Sequence, residues 1–295
     1  MNQDRLSNSP TRADIESAQT IIMSGGGNRC WWQAGLLDRL RAAGLQLPDR
    51  YLGTSAGAGI AAMLATDTTE NALDDGVRRF AANPSNFDWR RIVRGERPFP
   101  MPGMYANWLA AFLTPAAFAA LKHSQREVWV AITRPPRVVP VGLSVTAAVG
   151  IYLGQKFVVR RLHSKVFSRM GFRSELFRLN DCVSPAEAVA LLMATIATPP
   201  ITGVARHLGR PALDGGFHDH TPVPRAADHG FGRLLILLTR HYRQYPPLFR
   251  LADRVYLQPS ERVPVSNWAA TARTDLRAAY ALGSADAERV LSTLS

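Results

Sequence analysis

Two consecutive strand-to-helix transitions near the start of the chain constrain its fold more than any other feature. The stretch "TIIMSGGG" predicts a buried strand over Thr20–Met23 that enters a glycine loop, and "NRCWWQAGLLDRLRAAG" predicts a helix. The stretch "DRYLGT" predicts a second short strand, and "SAGAGIAAMLAT" a second helix. This order of elements is typical of an α/β fold with a parallel sheet.

The same alternation continues along the chain. The stretches "EVWVAIT" at 127–133, "RLLILLT" and "RVYLQP" predict strands, and the second is apolar enough for the interior of a parallel sheet. Residues 71–125 are predicted to be helical and irregular, with a proline-marked loop at 98–102. Ser184 is a candidate N-cap for another helix, and residues 274–294 predict a closing helix.

The composition indicates a globular protein that resides in a reducing compartment. Of 295 residues, 46% are hydrophobic, so residues 19–295 are expected to form a single domain after a mobile tail at 1–18. The polar N-terminal stretch lacks the apolar core of a secretory signal. Two cysteines, Cys30 and Cys182, provide neither a disulfide framework nor metal-ligand spacing. A cytoplasmic location is therefore expected.

The second strand-to-helix turn carries a serine among small residues. Ser55 lies between Gly53 and Gly57. A nucleophile on a sharp strand-to-helix turn needs small neighbours, because the backbone there is strained and crowded. A flexible turn before a small-residue helix is the alternative interpretation of this stretch.

The first glycine loop, "SGGGNRC", offers backbone N–H groups at the start of a helix. A P-loop would end in Gly-Lys-Ser/Thr, and a dinucleotide fingerprint would have glycine in place of Cys30. The remaining interpretation is an oxyanion hole, in which Gly26 and Gly27 donate N–H groups, with Asn28 as a further candidate.

A third motif, Asp214-Gly215-Gly216, lies in "ALDGGFHDHTPV". Glycines after an aspartate let its carboxylate approach another backbone turn. Taken alone, the motif is also typical of a hairpin turn.

Together, the three motifs resemble those of the patatin-like phospholipases in order and local context. The resemblance extends through "ATIATPPITGVARHLGRPALDGGFHDHTPVP", where a helix and a proline pair precede Asp-Gly-Gly, and a polar stretch ending in proline follows. It covers roughly residues 19–225.

The resemblance implies a three-layer α/β/α sandwich with a mainly parallel central sheet. It implies hydrolysis of lipid acyl esters, of phospholipase A or lysophospholipase type, by a dyad of Ser55 as nucleophile and Asp214 as proton acceptor. No metal or organic cofactor is implied, and a lipid ester is the expected partner. The oxyanion hole implied by the family comprises Gly25, Gly26, Gly27 and Asn28.

Two positions depart from the family pattern. The family often has an acidic residue where this chain has Ser24, and it usually has glycine where this chain has Cys30. A side chain at Cys30 changes the surroundings of the loop without removing a reacting atom. Arg29 is interpreted either as an anchor of the loop or as a contact for a phosphate head group.

Two alternatives to the dyad enzyme remain at this stage. A Ser-His-Asp esterase is the first, because His218 and His220 follow Asp214 closely. The standard α/β-hydrolase has several strands before its serine, whereas one strand clearly precedes the serine-bearing strand here. A catalytically silent lipid-binding protein of the same fold is the second alternative.

The net charge of +12 favours anionic partners, and much of it lies in one interval. Residues 138–173 combine an uncharged stretch with a basic one, and the interval between Glu127 and Glu175 has no acidic residue. Either a segment that docks on anionic membrane or a core segment with a solvated basic helix fits this pattern. No nucleic-acid partner is expected, and the oligomeric state is unknown. The basic residues are Arg134, Arg137, Lys156, Arg160, Arg161, Lys165, Arg169 and Arg173.

Overall fold

The computed structural model describes residues 9–137, 139–147, 150 and 170–294. Within these ranges, nine strands form one sheet. The strands are β1 Thr20–Met23, β2 Arg50–Thr54, β3 Glu127–Arg134, β4 Arg173–Arg178, β5 Ala205–His207, β6 Arg210–Asp214, β7 Leu234–Leu237, β8 Leu248–Leu251 and β9 Arg254–Leu257.

The sheet is parallel at its centre and antiparallel at its two edges. Its order is β5-β6-β3-β2-β1-β7-β9-β8, and β4 also pairs with β3. Strands β3, β2, β1, β7 and β9 run parallel to their neighbours in this series. The pairs β3–β4, β3–β6, β5–β6 and β8–β9 are antiparallel. The predicted, mainly parallel sheet is confirmed.

Helices cover the sheet and connect most of its strands. Two short 3₁₀ helices, at Gly27–Cys30 and Leu179–Asp181, occur within the described ranges. The α-helices with defined bounds are α1 Arg12–Glu16, α2 Trp31–Ala42, α3 Ala56–Ala65, α4 Thr69–Ala82, α5 Trp89–Val93, α6 Met101–Phe112, α7 Pro115–His123, α8 Pro185–Thr195, α9 Gly215–His218, α10 Val223–Asp228 and α11 Leu276–Leu294.

Alternation along the central strands divides the core into two layers. In β1, Ile21 and Met23 belong to a large apolar cluster with residues of α2, α3, α6 and α11. Ile22, which points the other way in the pleat, belongs to a smaller cluster with Val223 and Ala226 of α10. Helical layers on both faces of the sheet give the predicted α/β/α sandwich.

The tandem tryptophans that follow the glycine loop are part of the core. Trp31 is 2% exposed and Trp32 is 0% exposed. Trp32 donates its indole N–H to Asp286 Oδ2 of α11 at 2.8 Å. This bond fixes α2 against α11, the helix that closes the chain.

The packed structure begins earlier than the sequence suggests. The mobile tail expected at residues 1–18 is wrong for its second half, because α1 spans Arg12–Glu16 and buries Ile15 completely. Thr11 caps this helix by accepting from the Asp14 N–H. Residues 1–8 lie outside the described ranges. The loop predicted at 98–102 is shorter than expected, because α6 begins at Met101 and tolerates proline in its first turn.

Most of the basic segment 138–173 lies outside the described residues, including Lys156, Arg160, Arg161, Lys165 and Arg169. Arg134, which precedes this segment, has a structural role. It is 2% exposed and donates to Glu175 at 2.7 Å, so it contributes no surface charge. Among the described helices, none is by itself long and apolar enough to cross a membrane. In the part of the chain that the structure describes, one pair of helices, α6 and α7, bent by 62°, passes such a test of length and composition.

Candidate active site

Ser55 occupies a strained turn between β2 and α3. Its φ of 54° and ψ of −133° place a non-glycine residue in sparsely populated backbone space. The two flanking glycines permit close packing. A Cβ on Gly53 would lie 2.3 Å from Ala58 Cα, and one on Gly57 would lie 2.5 Å from the Met23 carbonyl oxygen. The motif is thus a tightly packed elbow, and the flexible-turn interpretation does not fit.

The sheet register brings Asp214 to Ser55 across 159 positions of sequence. Strand β4 occupies one side of the second half of β3. On the other side of β3, two strands follow one another. Strand β2 is parallel to β3 and pairs with it up to Thr54, which lies opposite Ala131. Strand β6 is antiparallel to β3 and ends at Asp214, which lies opposite Ile132. The carboxyl ends of β2 and β6 therefore meet head to head beside two consecutive residues of β3.

The two side chains are in direct contact. Ser55 Oγ donates to Asp214 Oδ2 at 2.7 Å, and Thr198 Oγ1 donates to the same oxygen at 3.1 Å. The Gly216 N–H donates to Asp214 Oδ1 at 2.7 Å. Burial raises the pKa of Asp214 to about 6, although these three hydrogen bonds each lower it. A carboxylate in this state suits proton transfer near neutral pH.

Two threonines of the site were missed by the sequence analysis. Thr195 accepts the Ser55 N–H at 2.9 Å and donates to the Ala131 carbonyl at 2.5 Å, so it holds the elbow against β3. Thr198 supports the carboxylate directly. Both lie in the quoted "ATIATPP" stretch, where two hydroxyls within an apolar segment ahead of Asp214 were the available signal.

The glycine loop passes beside the elbow, and only part of it can act as a donor. The Gly25 N–H donates to the His220 carbonyl at 2.9 Å, and the Asn28 N–H donates to the Asn267 carbonyl at 3.2 Å. Gly25 and Asn28 are therefore wrong as oxyanion donors, because both amides are already bonded. Within the described ranges, the N–H groups of Gly26 and Gly27 have no such partner.

The loop is fixed by segments from the far end of the chain. Thr239 donates its hydroxyl to the Gly25 carbonyl at 2.7 Å. The Asn28 side chain donates to the carbonyls of Ser266 and Ala269 at 2.8 and 2.7 Å. Gly27 has a φ of 58°, and a Cβ there would lie 2.0 Å from the Asn267 oxygen. The loop thus has a single conformation set by tertiary contacts.

The other notable residues of the loop also have structural surroundings. Arg29 Nε donates to the Gly26 carbonyl at 3.4 Å, which supports its interpretation as a loop anchor. Ser24 shares a hydrogen bond of 2.8 Å with Thr221. Cys30 is buried, and burial raises the pKa of its thiol above the usual range, which keeps it protonated.

The histidines after Asp214 do not form the predicted alternative triad. The Asp214 carboxylate is bonded by two hydroxyls and one backbone amide, none of them an imidazole. The His220 ring lies beside Gly216, where an added Cβ would meet its Nδ1 at 2.7 Å. The His218 backbone N–H bonds Thr133 Oγ1 at 3.2 Å. Burial lowers the pKa of His218.

An apolar cleft opens at Ser55. The empty space in and above it amounts to about 820 Å³, part of which is open solvent. Ser55 at the N-cap of α3, and Gly59 and Met63 within the helix, recur at every fourth position, so the cleft follows α3 for about 12 Å at the usual rise per residue. Three groups of residues line it: Gly27, Asn28, Cys30 and Trp31 from the glycine loop and the start of α2; Met101, Tyr105, Trp108, Leu109, Leu192 and Ile196 from α6 and the end of α8; and Ile201, Thr202, Asn267 and Trp268 from the loops after α8 and before α11.

The α/β/α fold thus places a serine and an aspartate in contact beside an apolar cleft, an arrangement typical of a hydrolase site. The chain matches the family model of the patatin-like phospholipases over residues 21–227, and it belongs to this family. Members of the family are lipid acyl hydrolases. A comparison with curated proteins gave no match. The matched region contains Ser55 and Asp214, whereas β7–β9 and α11 follow it.

Proposed function

We propose that this protein hydrolyses acyl esters of lipids through Ser55 and Asp214. The observation that carries the proposal is the 2.7 Å hydrogen bond from Ser55 Oγ to Asp214 Oδ2 at the end of the apolar cleft. A buried carboxylate with a pKa of about 6 is ionised at neutral pH and can accept the hydroxyl proton as Oγ attacks.

The proposed reaction has two steps, acylation of Ser55 and hydrolysis of the acyl-serine. Ser55 Oγ bonds to the acyl carbon while its proton moves to Asp214, and the carbonyl oxygen becomes an oxyanion. Collapse of this intermediate breaks the ester bond, and the proton passes to the leaving alcohol, which leaves an acyl-serine. Water then attacks the acyl-serine, gives its proton to Asp214, and releases a fatty acid as the proton returns to Ser55.

The N–H groups of Gly26 and Gly27 are the proposed donors to the oxyanion. They lie on the loop beside the elbow, and a Cβ on the adjacent Gly25 would lie 3.2 Å from Ser55 Cβ. The contacts of Asn28 and Gly25 with the C-terminal segments hold the loop before substrate arrives. Each such donor contributes about 3 to 4 kcal/mol to lowering the barrier.

The apolar lining of the cleft supports a lipid rather than a polar ester as substrate. Its wall is formed by side chains such as Met63, Leu109 and Leu192, which offer an apolar surface to an acyl chain. Phospholipids and lysophospholipids are the proposed substrates. Arg29 is engaged with the Gly26 carbonyl, so the proposal does not rest on a phosphate contact from this residue.

Labelling with a fluorophosphonate tests the nucleophile, and hydrolysis of defined phospholipids tests the reaction. We expect wild type to be labelled and active, and Ser55→Ala to be unlabelled. Ser292→Ala, an exposed serine of α11, is the matched control and should behave as wild type. Labelling of Ser55→Ala at the wild-type rate would contradict the assignment. Labelled wild type without activity on any lipid would favour a silent lipid-binding protein.

A further inference from the structure

Large apolar side chains cluster on the surface of one short segment. Of the ten large hydrophobic residues exposed in the described part of the chain, four lie within seven consecutive positions. They are Phe87, Trp89, Ile92 and Val93, with exposed fractions of 49%, 62%, 54% and 76%. Large exposed apolar side chains grouped in this way on a folded protein indicate a surface with a partner.

These exposed side chains lie on a loop that is held by hydrogen bonds. The Asp88 N–H donates to the Pro98 carbonyl at 2.8 Å and closes the segment, and the Asp88 side chain caps α5 by accepting from the Arg90 N–H at 3.0 Å. Arg91 Nε donates to the Arg97 carbonyl at 2.8 Å within the same loop. We call residues 87–97 the apolar loop. Its hydrogen bonds hold Trp89 and its neighbours outward in water.

The apolar loop is attached to two segments that line the cleft. Before it, Asn86 Oδ1 accepts from the Ala270 N–H at 2.8 Å, two residues beyond Trp268, which lines the cleft. At its end, Arg97 donates to the carbonyl of Thr202, which also lines the cleft, at 3.3 Å. Met101, four residues later, is a further lining residue. Whatever binds the apolar loop is therefore held next to segments of the cleft that contains Ser55.

The charge of the apolar loop favours an anionic partner. It contains four arginines against two acidic residues, Asp88 and Glu96. The Arg90 guanidinium lies 6.0 Å from the Trp89 ring, and Arg94 is 59% exposed at its side chain. Aromatic and aliphatic side chains interleaved with arginine are suited to the interface of a bilayer, where one part enters the acyl region and the other meets head groups.

We propose that the apolar loop docks the protein on a bilayer with anionic head groups. Trp89, Ile92 and Val93 enter the interfacial region, and the arginines contact the phosphates. α5 has five residues, so it lies in the interface and does not cross the membrane. Docking sets the cleft mouth against the surface, and a lipid tail passes into the cleft without crossing water. This last step rests on the proposed function, whereas docking itself does not.

Vesicle binding tests the docking without any catalysis. In a Ser55→Ala background, which cannot consume the vesicles by the proposed reaction, Trp89→Ser/Ile92→Ser should weaken binding to phosphatidylcholine vesicles containing about 30% phosphatidylglycerol by about tenfold or more. Val183→Ser/Leu208→Ser removes two hydrophobic residues elsewhere that are more exposed still, and this variant should bind as the parent does. Binding of Trp89→Ser/Ile92→Ser equal to that of the parent would overturn the proposal.

A charge variant tests the choice of lipid. Arg90→Gln/Arg94→Gln should reduce binding to the anionic vesicles about thirtyfold, since each basic residue near such a surface contributes about 1 kcal/mol. Binding to pure phosphatidylcholine should be unchanged. Loss of binding to both kinds of vesicle, or to neither, would contradict an anionic docking surface.

Kinetics separate failure of docking from failure of the proposed function. With Ser55 present, Trp89→Ser/Ile92→Ser should hydrolyse vesicle phospholipid about tenfold more slowly than wild type and a soluble short-chain ester at the wild-type rate. If wild type hydrolyses neither substrate but binds vesicles through the apolar loop, the hydrolase proposal fails and the docking proposal stands. If both substrates are hydrolysed equally by the two proteins, docking is wrong and the hydrolase proposal stands.

Discussion

The two ends of the cleft are built in different ways. At the reacting end, Ser55, Asp214 and Thr198 are joined by hydrogen bonds of 2.7 and 3.1 Å, and each oxygen has a specified partner. At the far end, Met63 and Trp108 form an apolar wall, and Trp108 stacks on Trp31 with ring centroids 5.9 Å apart. Directional contacts define the first region, and volume defines the second.

This difference teaches where the protein can tolerate change. A hydrogen bond in a buried site is lost when one atom is replaced, because nothing else can meet the unpaired group. A hydrophobic wall is non-directional, so a change in its volume alters which chain fits more than it alters the reaction. Variants at the reacting end should therefore affect rate and pH dependence, whereas variants along the wall should affect selectivity.

The most severe test of the comparison is Asp214→Asn. We expect a loss of activity of about 1,000-fold or more, because the amide cannot accept the serine proton. The same change should stabilise the fold at pH 8. The pKa of Asp214 is raised from 3.8 to about 6, so its ionised form costs the folded state about 3 kcal/mol above pH 6.

Chemical denaturation at two pH values checks this second effect. The advantage of Asp214→Asn should be largest at pH 8 and should disappear as pH falls below about 3, where the folded and unfolded wild type both hold the proton. An advantage of equal size at both pH values would mean that the carboxylate carries no burial penalty.

Two glycines of α3 provide the next test. Gly57 packs against the backbone at the reacting end, and Gly59 lines the apolar cleft. Gly57→Ala places a methyl group 2.5 Å from the Met23 carbonyl oxygen and should lower the free energy of unfolding by about 2 to 3 kcal/mol. Gly59→Ala meets no atom within 4 Å and should raise it by about 0.5 to 1 kcal/mol, because alanine favours the helix. Denaturant titration of both variants measures the contrast, and similar values would break it.

A smaller effect is expected at the hydroxyl that supports the carboxylate. The rate of wild type should fall as pH drops through about 6, because Asp214 must be ionised. Thr198→Val removes a bond that favours the ionised form, so the pKa of Asp214 should rise and kcat/KM at pH 6 should fall about fivefold. Thr198→Ser keeps the hydroxyl and should restore the wild-type pH profile. A uniform loss at every pH would contradict this assignment.

The smallest effect on the reaction itself is expected from filling the wall. Gly59→Leu projects into open space beside the cleft and should lower kcat/KM for long-chain esters about threefold, with no change for butyryl esters. Gly59→Ala is the size control. Equal losses for short and long chains would show that this wall does not select chain length.

The sequence predicted the local part of the site well. The strands at Thr20–Met23 and Arg50–Thr54 and the helices after them are confirmed, because alternating burial and small-residue turns are signals within a few positions. The antiparallel strands β4, β5, β6 and β8 were missed. They lie toward the edges of the sheet and draw their stability from pairing, and Arg173–Arg178 has no apolar periodicity that would predict a strand.

Roles within the glycine loop were harder to predict. The run of Gly25, Gly26, Gly27 and Asn28 indicated backbone donors, but which amides are already used depends on the carbonyls of His220 and Asn267. Asn267 is 239 positions after Asn28, outside the family match. Likewise Thr195 and Thr198 are ordinary helix-end residues until the sheet places Ala131 and Asp214 beside them.

By itself, the sequence determined the parallel strands and the helices after the first two of them, the positions of the three glycine motifs and the family, because these depend on patterns within short stretches of chain. Only the tertiary structure decided that β2 and β6 end beside neighbouring residues of β3, which joins Ser55 to Asp214. It also decided which loop amides are free and where Trp89 is exposed. The physical reason is that register, burial and hydrogen-bond occupancy are set by partners far away in sequence.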